Sequence, residues 1–268
     1  MKRISLILIF LISASSIAYS QDNFLLPDKF LPTKGDSLKI RLLTAKSLKD
    51  PKELAYNSTK ISDFWLFDSN KKTDLKGKTS ENATPVLAKK IEVQGLALFC
   101  LNSAPTVKSM PKSRFADYLK EQGLDEMSKQ FESYKKPFVK ERITWYCKTV
   151  VKTEKSSRGI YDEKAGQQLE IVLLQNPYKL KYGDDMTAQI LLEGKGLKNA
   201  NVEVLTLAEN GAVFTNSYRT DQDGKAYFKV NRTGTWLIRL IQMSASKDTA
   251  ADYESTGASF TFGFETQL

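Results

Sequence analysis

From Gln168 to Phe264 the chain is written in short apolar segments separated by Gly, Asn and Asp turns, a grammar that buries itself by stacking one sheet on another. The segments are residues 169–174 (LEIVLL), 186–192 (MTAQILL), 202–207 (VEVLTL), 226–230 (AYFKV), 235–241 (TWLIRLI) and 258–262 (ASFTF). Their β-branched and aromatic content, at a spacing of roughly 10 to 16 residues, predicts an all-β sandwich of immunoglobulin-like or transthyretin-like type.

The first half is less regular but also β-rich. Residues 36–45 alternate apolar and polar over part of their length, and 63–67 (DFWLF), 86–93 (VLAKKIEV), 95–101 (GLALFCL) and 143–151 (ITWYCKTVV) have strand composition. One helix interrupts them: Ser113 caps it, Phe115, Tyr118 and Leu119 share a face, and Gly123 stops it. A second helical stretch runs over 125–134 and breaks before Pro137. Residues 153–166, rich in Lys, Ser, Glu and Gly without apolar period, read as a linker. The expected fold is therefore mainly β, with two β-rich domains, 21–166 and 167–268, and one or two short helices in the first.

At the N-terminus Lys2 and Arg3 precede the apolar run 4–12, followed by small residues and then Ala18-Tyr19-Ser20-Gln21. This is the grammar of a secretory signal peptide over 1–20, cut after Ser20, in a periplasmic or secreted protein. The run is shorter than the roughly 20 residues a bilayer requires, so no transmembrane segment is expected in the mature chain. Charge is unevenly placed: 21–166 carry 28 Lys/Arg against 19 Asp/Glu, whereas 167–268 carry 10 against 12. The lysines are scattered and no nucleic-acid module accompanies them, so a nucleic-acid partner is not expected.

Composition limits the chemistry. The chain has no histidine, which removes Ser-His-Asp and Cys-His catalysis, and no glycine-rich loop follows a strand to hold phosphates. Nothing selects a carboxylate pair for glycoside hydrolysis from the 31 acidic residues. No enzyme and no cofactor are expected. Cys100 and Cys147 both sit in strand-like segments, where they either pair as a disulfide or lie buried separately as small hydrophobes. Asp221-Gln222-Asp223-Gly224 starts like a calcium loop but lacks its later ligands, and reads instead as a tight hairpin turn between 217–220 and 226–230. Gly183-Asp184-Asp185 reads as a turn.

The ordered set Phe115-x-x-Tyr118-Leu119-x-x-x-Gly123-Leu124, Tyr146-x-Lys148, Leu169-Glu170-Ile171-Val172, Asn176-Pro177-Tyr178, Gly183-Asp184, Gly194-Lys195, Thr220-Asp221-x-x-Gly224, Gly234-x-Trp236-Leu237 and Ala251-Asp252-Tyr253-Glu254-Ser255 before 258–262 resembles the exported domain of unknown function of nickel-uptake-associated (NikM-like) periplasmic proteins. The resemblance implies an envelope β-sandwich without known catalysis, linked in some members to uptake of nickel, cobalt or related metals beside a transporter or outer-membrane receptor. It also implies two histidine positions, occupied here by Gln21 and Gln242. An amide oxygen is a poor substitute for imidazole toward nickel, zinc or copper, so no tight binding of those ions is expected. The reading is a non-enzymatic envelope accessory or binding protein that has lost those ligands. The alternative is a protein- or glycan-binding module using aromatics such as Trp65 and Trp145 or a sheet edge.

Overall fold

The run at 95–101 is apolar at nearly every position, and such a strand is stable only when covered on both faces. The computed structural model describes residues 22–33, 35–68, 71–90, 95–153 and 159–265 and shows that arrangement; the expected leader, 1–20, lies outside them. A central sheet holds nine strands: β4 (Ile61–Phe67), β5 (Lys72–Asp74), β7 (Leu96–Ser103), β8 (Thr106–Pro111), β9 (Phe138–Lys152), β13 (Asn201–Ala208), β14 (Val213–Arg219), β16 (Gly234–Ala245) and β17 (Tyr253–Phe264). Their order is β14-β13-β16-β17-β9-β7-β4-β5, with β8 also paired to β9. A four-stranded sheet covers one face: β1 (Asp22–Pro27), β2 (Ser37–Ala45), β3 (Lys52–Leu54) and β6 (Leu87–Lys90). Another four-stranded sheet covers the second: β10 (Leu169–Leu173), β11 (Asp185–Leu192), β12 (Lys195–Gly196) and β15 (Lys225–Lys229).

Period-two alternation sorts the side chains of the central sheet. Leu66, Phe99, Leu101, Trp145, Cys147, Ile241 and Met243 point to the first face, under β2 and the helices. Leu98, Cys100, Val150, Ile238, Leu240, Phe260 and Phe262 point to the second, where Leu169, Ile171, Met186, Ile190 and Phe228 close a β-sandwich. The expected division near residue 166 runs through this sheet rather than around it. β9 from the first half pairs in parallel with β17 from the second, from Glu141 against Tyr253 to Thr149 against Thr261. Every other ladder among the described residues is antiparallel. Of the expected linker, 154–158 lie outside the described residues, while Ile160 is buried in the second-face core.

Strand β1 meets the central sheet edge-on. Its outer carbonyls are met by side chains: Thr261 Oγ1 donates to the Leu25 carbonyl at 2.6 Å and Cys147 Sγ to that of Asn23 at 3.4 Å. Alternation then sends Leu25 into the core around Phe64 and Phe99, and Phe24 into a smaller one with Leu205 and Leu237. Two helices, α1 (Lys112–Glu121) and α2 (Asp125–Phe131), cap the far end of the first face. Phe115 of α1 lies 4.9 Å from Tyr253 and 5.0 Å from Phe131, ring centre to ring centre. The helix begins one residue before the expected cap: Pro111 occupies that position without a side-chain hydrogen bond, because β8 runs straight into the helix. Gly123, at φ +65°, ends it as expected.

Candidate ligand-binding cleft

The residues singled out from sequence do not converge. Cys147 lies opposite Leu101 in the β7–β9 ladder and Cys100 opposite Lys148, a one-residue offset that sends the two thiols to opposite faces of one sheet. Both are free and buried, so the disulfide considered above is not made, and burial pushes both thiols up to about 12. Native protein is accordingly expected to leave both cysteines unreacted with an aromatic disulfide reagent at pH 8 and to titrate two thiols in denaturant; a mass shift on reduction of the denatured chain would contradict this.

Gln21 lies outside the described residues. Gln242 is half-buried on the second face of β16, whereas β1, which starts at Asp22, packs on the first. The Asp221–Gly224 segment is a turn but not a hairpin: β14 before it belongs to the central sheet and β15 after it to the outer one. Its carboxylates are engaged internally, Asp221 Oδ1 accepting from the Asp223 and Lys225 amides at 2.9 Å and Oδ2 from the Tyr227 hydroxyl at 2.8 Å. Gly183, at φ +88°, makes the expected turn before β11. Among the described residues no group of three or more Cys, Asp or Glu side chains is placed to hold a metal ion. Trp65 is covered by Lys72, whose Nζ lies 4.2 Å from the ring centre, and Trp145 is 3% exposed.

Trp145 is nonetheless at the base of a cleft. Between β2 and β3 on one side and the first face of the central sheet on the other opens a cavity of about 630 Å³. Leu101, Ile143, Trp145 and Cys147 form its floor, and Leu42 and Leu54 face them from the covering sheet. The indole lies flat because Gly257, beside it in the β9–β17 ladder, has no side chain: a Cβ there would come within 2.4 Å of the ring. Asn23, Thr44, Asn57, Asn82, Ser103 and Thr106 supply polar groups. Three lysines, Lys52, Lys60 and Lys108, stand at the exposed rim, and among the described residues no Asp or Glu lines the cavity. Cations of one sign around a low-dielectric concavity focus a positive potential into it.

Behind this cleft lie a buried carboxyl, Asp22, and a half-buried one, Glu203. Asp22 and Glu203 share one guanidinium: Arg239 Nη1 is 2.8 Å from Asp22 and Nη2 is 2.7 Å from Glu203. One cation cannot compensate both, and Asp22 Oδ1 has no hydrogen-bond partner among the described residues. Burial, with Glu203 adding to it and Arg239 opposing, pushes the Asp22 carboxyl up to about 6. Glu141, 1% exposed beneath α1, is likewise raised by burial, against the pull of Ser255 and Lys108. On the second face, Lys148 Nζ is held by Glu170 Oε1 at 2.6 Å and by the carbonyls of Glu163 and Ile171 at 3.1 and 3.2 Å.

A family model described as a domain of unknown function (DUF4198) matches residues 18–244. The chain belongs to that family. No curated protein matches it. Among solved structures, it is similar to the three N-terminal domains of the bacteriophage RB49 Highly Immunogenic Outer Capsid protein (Hoc), at 7% identity, covering 92% of this chain and 100% of that one, with a TM-score of 0.21. Every residue of the cleft falls within the DUF4198 match, while β17 lies beyond it. The rim lysines of this DUF4198 chain were not singled out by sequence reading, because they come from three separate segments with no shared motif. Their only trace there is the basic balance of residues 21–166.

Proposed function

We propose that this chain is an exported, non-enzymatic binding protein that holds an amphipathic organic anion in the cleft above Trp145. The observation that carries the reading is an apolar floor beneath three lysines with no acidic residue in the lining. Its volume, about 630 Å³, is in the range of small-molecule sites. Export rests on the leader grammar of residues 1–20, and β1 begins at Asp22, two residues after the expected cut. The NikM-like resemblance supports a place in the envelope beside a transporter or outer-membrane receptor. The lack of histidine and the separation of the two cysteines favour an organic anion over a bare transition-metal ion as cargo.

The test uses the fluorescent anion anilinonaphthalene sulfonate, with laurate and dodecyltrimethylammonium as competitors below their micelle concentrations. Saturable binding with a Kd of about 1–100 µM is expected, displaced by laurate and not by the ammonium ion. Replacing Lys52, Lys60 and Lys108 together by Gln is expected to weaken binding by about tenfold or more, since an exposed charge contributes up to about 1 kcal/mol. Equal displacement by the cation, or full affinity in the triple variant, would remove the cleft from the account.

A further inference from the structure

One edge of the central sheet is open. β14 pairs on its inner side with β13, from Val213 against Leu207 to Arg219 against Asn201. On its outer side no backbone group of residues 213–219 is hydrogen-bonded among the described residues. Residues 214–217 are exposed in succession; on one face the Arg232 guanidinium lies 4.1 Å from the Phe214 ring centre and Tyr218 packs on Phe228, while Thr215 and Ser217 stand clear on the other, and Phe214 is 37% exposed. A row of unpaired N–H and C=O groups of this kind is a template for another strand.

Proteins guard such edges with lysine, proline or short length, and other edges here show those devices. β5 has three residues and begins with Lys72, β6 ends in Lys89 and Lys90, β8 carries Lys108 and Pro111, and β15 has a lysine at each end. β14, seven residues of sequence VFTNSYR, has no Lys, Pro, Asp or Glu, and its one charge is the terminal Arg219.

That sequence is also chemically symmetric about its centre. Reading outward from Asn216, a hydroxyl residue follows on each side (Thr215, Ser217) and then an aromatic one (Phe214, Tyr218). We propose that β14 pairs antiparallel with β14 of a second copy of this chain, about a two-fold axis through Asn216. In that register each Phe214 faces a Tyr218 and each Thr215 a Ser217, the aromatic and hydroxyl cross-strand pairs that stabilise antiparallel ladders. Asn216 meets its own counterpart, as a two-fold axis demands. The central sheet then continues through the axis into the second molecule. The interface is small, which makes the dimer weak and reversible, and it lies apart from the lysine-rimmed cleft, so it stands or falls separately.

Residues opposed across an antiparallel ladder have Cα atoms about 4.5–5.5 Å apart, within the span of a disulfide, whereas residues displaced along the strand are beyond it. The native cysteines are buried and do not interfere. Asn216→Cys, oxidised mildly at about 100 µM, is therefore expected to form a covalent dimer at least tenfold more than Thr215→Cys, which faces Ser217 instead of itself. Sedimentation of the unmodified chain is expected to show a concentration-dependent dimer, abolished by Ser217→Lys with an unchanged circular dichroism spectrum. A chain that stays monomeric at several hundred micromolar, or equal cross-linking of the two cysteine variants, would overturn the proposal.

Discussion

Lys148→Met is expected to lower the free energy of unfolding by about 3–5 kcal/mol, the cost of leaving a buried charge without its partner. Lys148 and Glu170 side chains are 1% and 3% exposed, and the ammonium group has three acceptors within 3.2 Å. Without the lysine, the Glu170 carboxylate keeps, among the described residues, the Ala165 and Gly166 amides. Because desolvation offsets much of the attraction in such a pair, the double variant Lys148→Met/Glu170→Leu is expected to recover most of the loss. Urea denaturation at constant pH measures both. A single-variant loss below about 1 kcal/mol would mean that water reaches the pair. The contact joins β9 to β10 and to the segment before it, so its loss also loosens the seam between the halves of the chain.

The second large effect is a pH dependence. Asp22 has a folded carboxyl pushed up to about 6 from 3.8. A raised carboxyl pKa means that the folded state holds a proton the unfolded chain has already released. Its stabilising contribution is complete below pH 3.8 and is lost as pH rises through about 6. The loss is on the order of 3 kcal/mol. Exposed acids such as Asp36 and Asp248 are shifted the other way, so the informative quantity is the difference between wild type and Asp22→Asn, whose amide oxygen still accepts from Arg239. The two are expected to be equally stable near pH 3.8 and the variant more stable above pH 6. A variant less stable than wild type at pH 7.5 would show that the Arg239 ion pair outweighs the burial of a second carboxylate.

Strands that carry their own burial pattern were legible. Residues 202–207, 235–241 and 258–262 fall inside β13, β16 and β17, each longer than its apolar segment because the polar ends are held by neighbours in the ladder. β8 and the first half of β14 were missed, only 217–220 having been read as a hairpin arm: TVKSMP and VFTNSYR bury almost nothing and are strands because β9 and β13 pair with them. The turn at Asp221 was legible in its Asp and Gly residues, yet which sheets it joins was not. Turn chemistry acts over four residues, and sheet membership is settled across the whole chain.

By itself, then, the sequence determined the β-rich class, the positions of most strands, the short helix ending at Gly123 and the absence of imidazole chemistry. All of these depend on residue type and local period. Only the tertiary structure decided that β9 and β17 lie side by side, that Cys100 and Cys147 face opposite ways, and that Lys52, Lys60 and Lys108 surround one cavity. Each of those depends on register between strands far apart in the chain. A one-residue slip there exchanges the faces of every side chain without changing any local pattern.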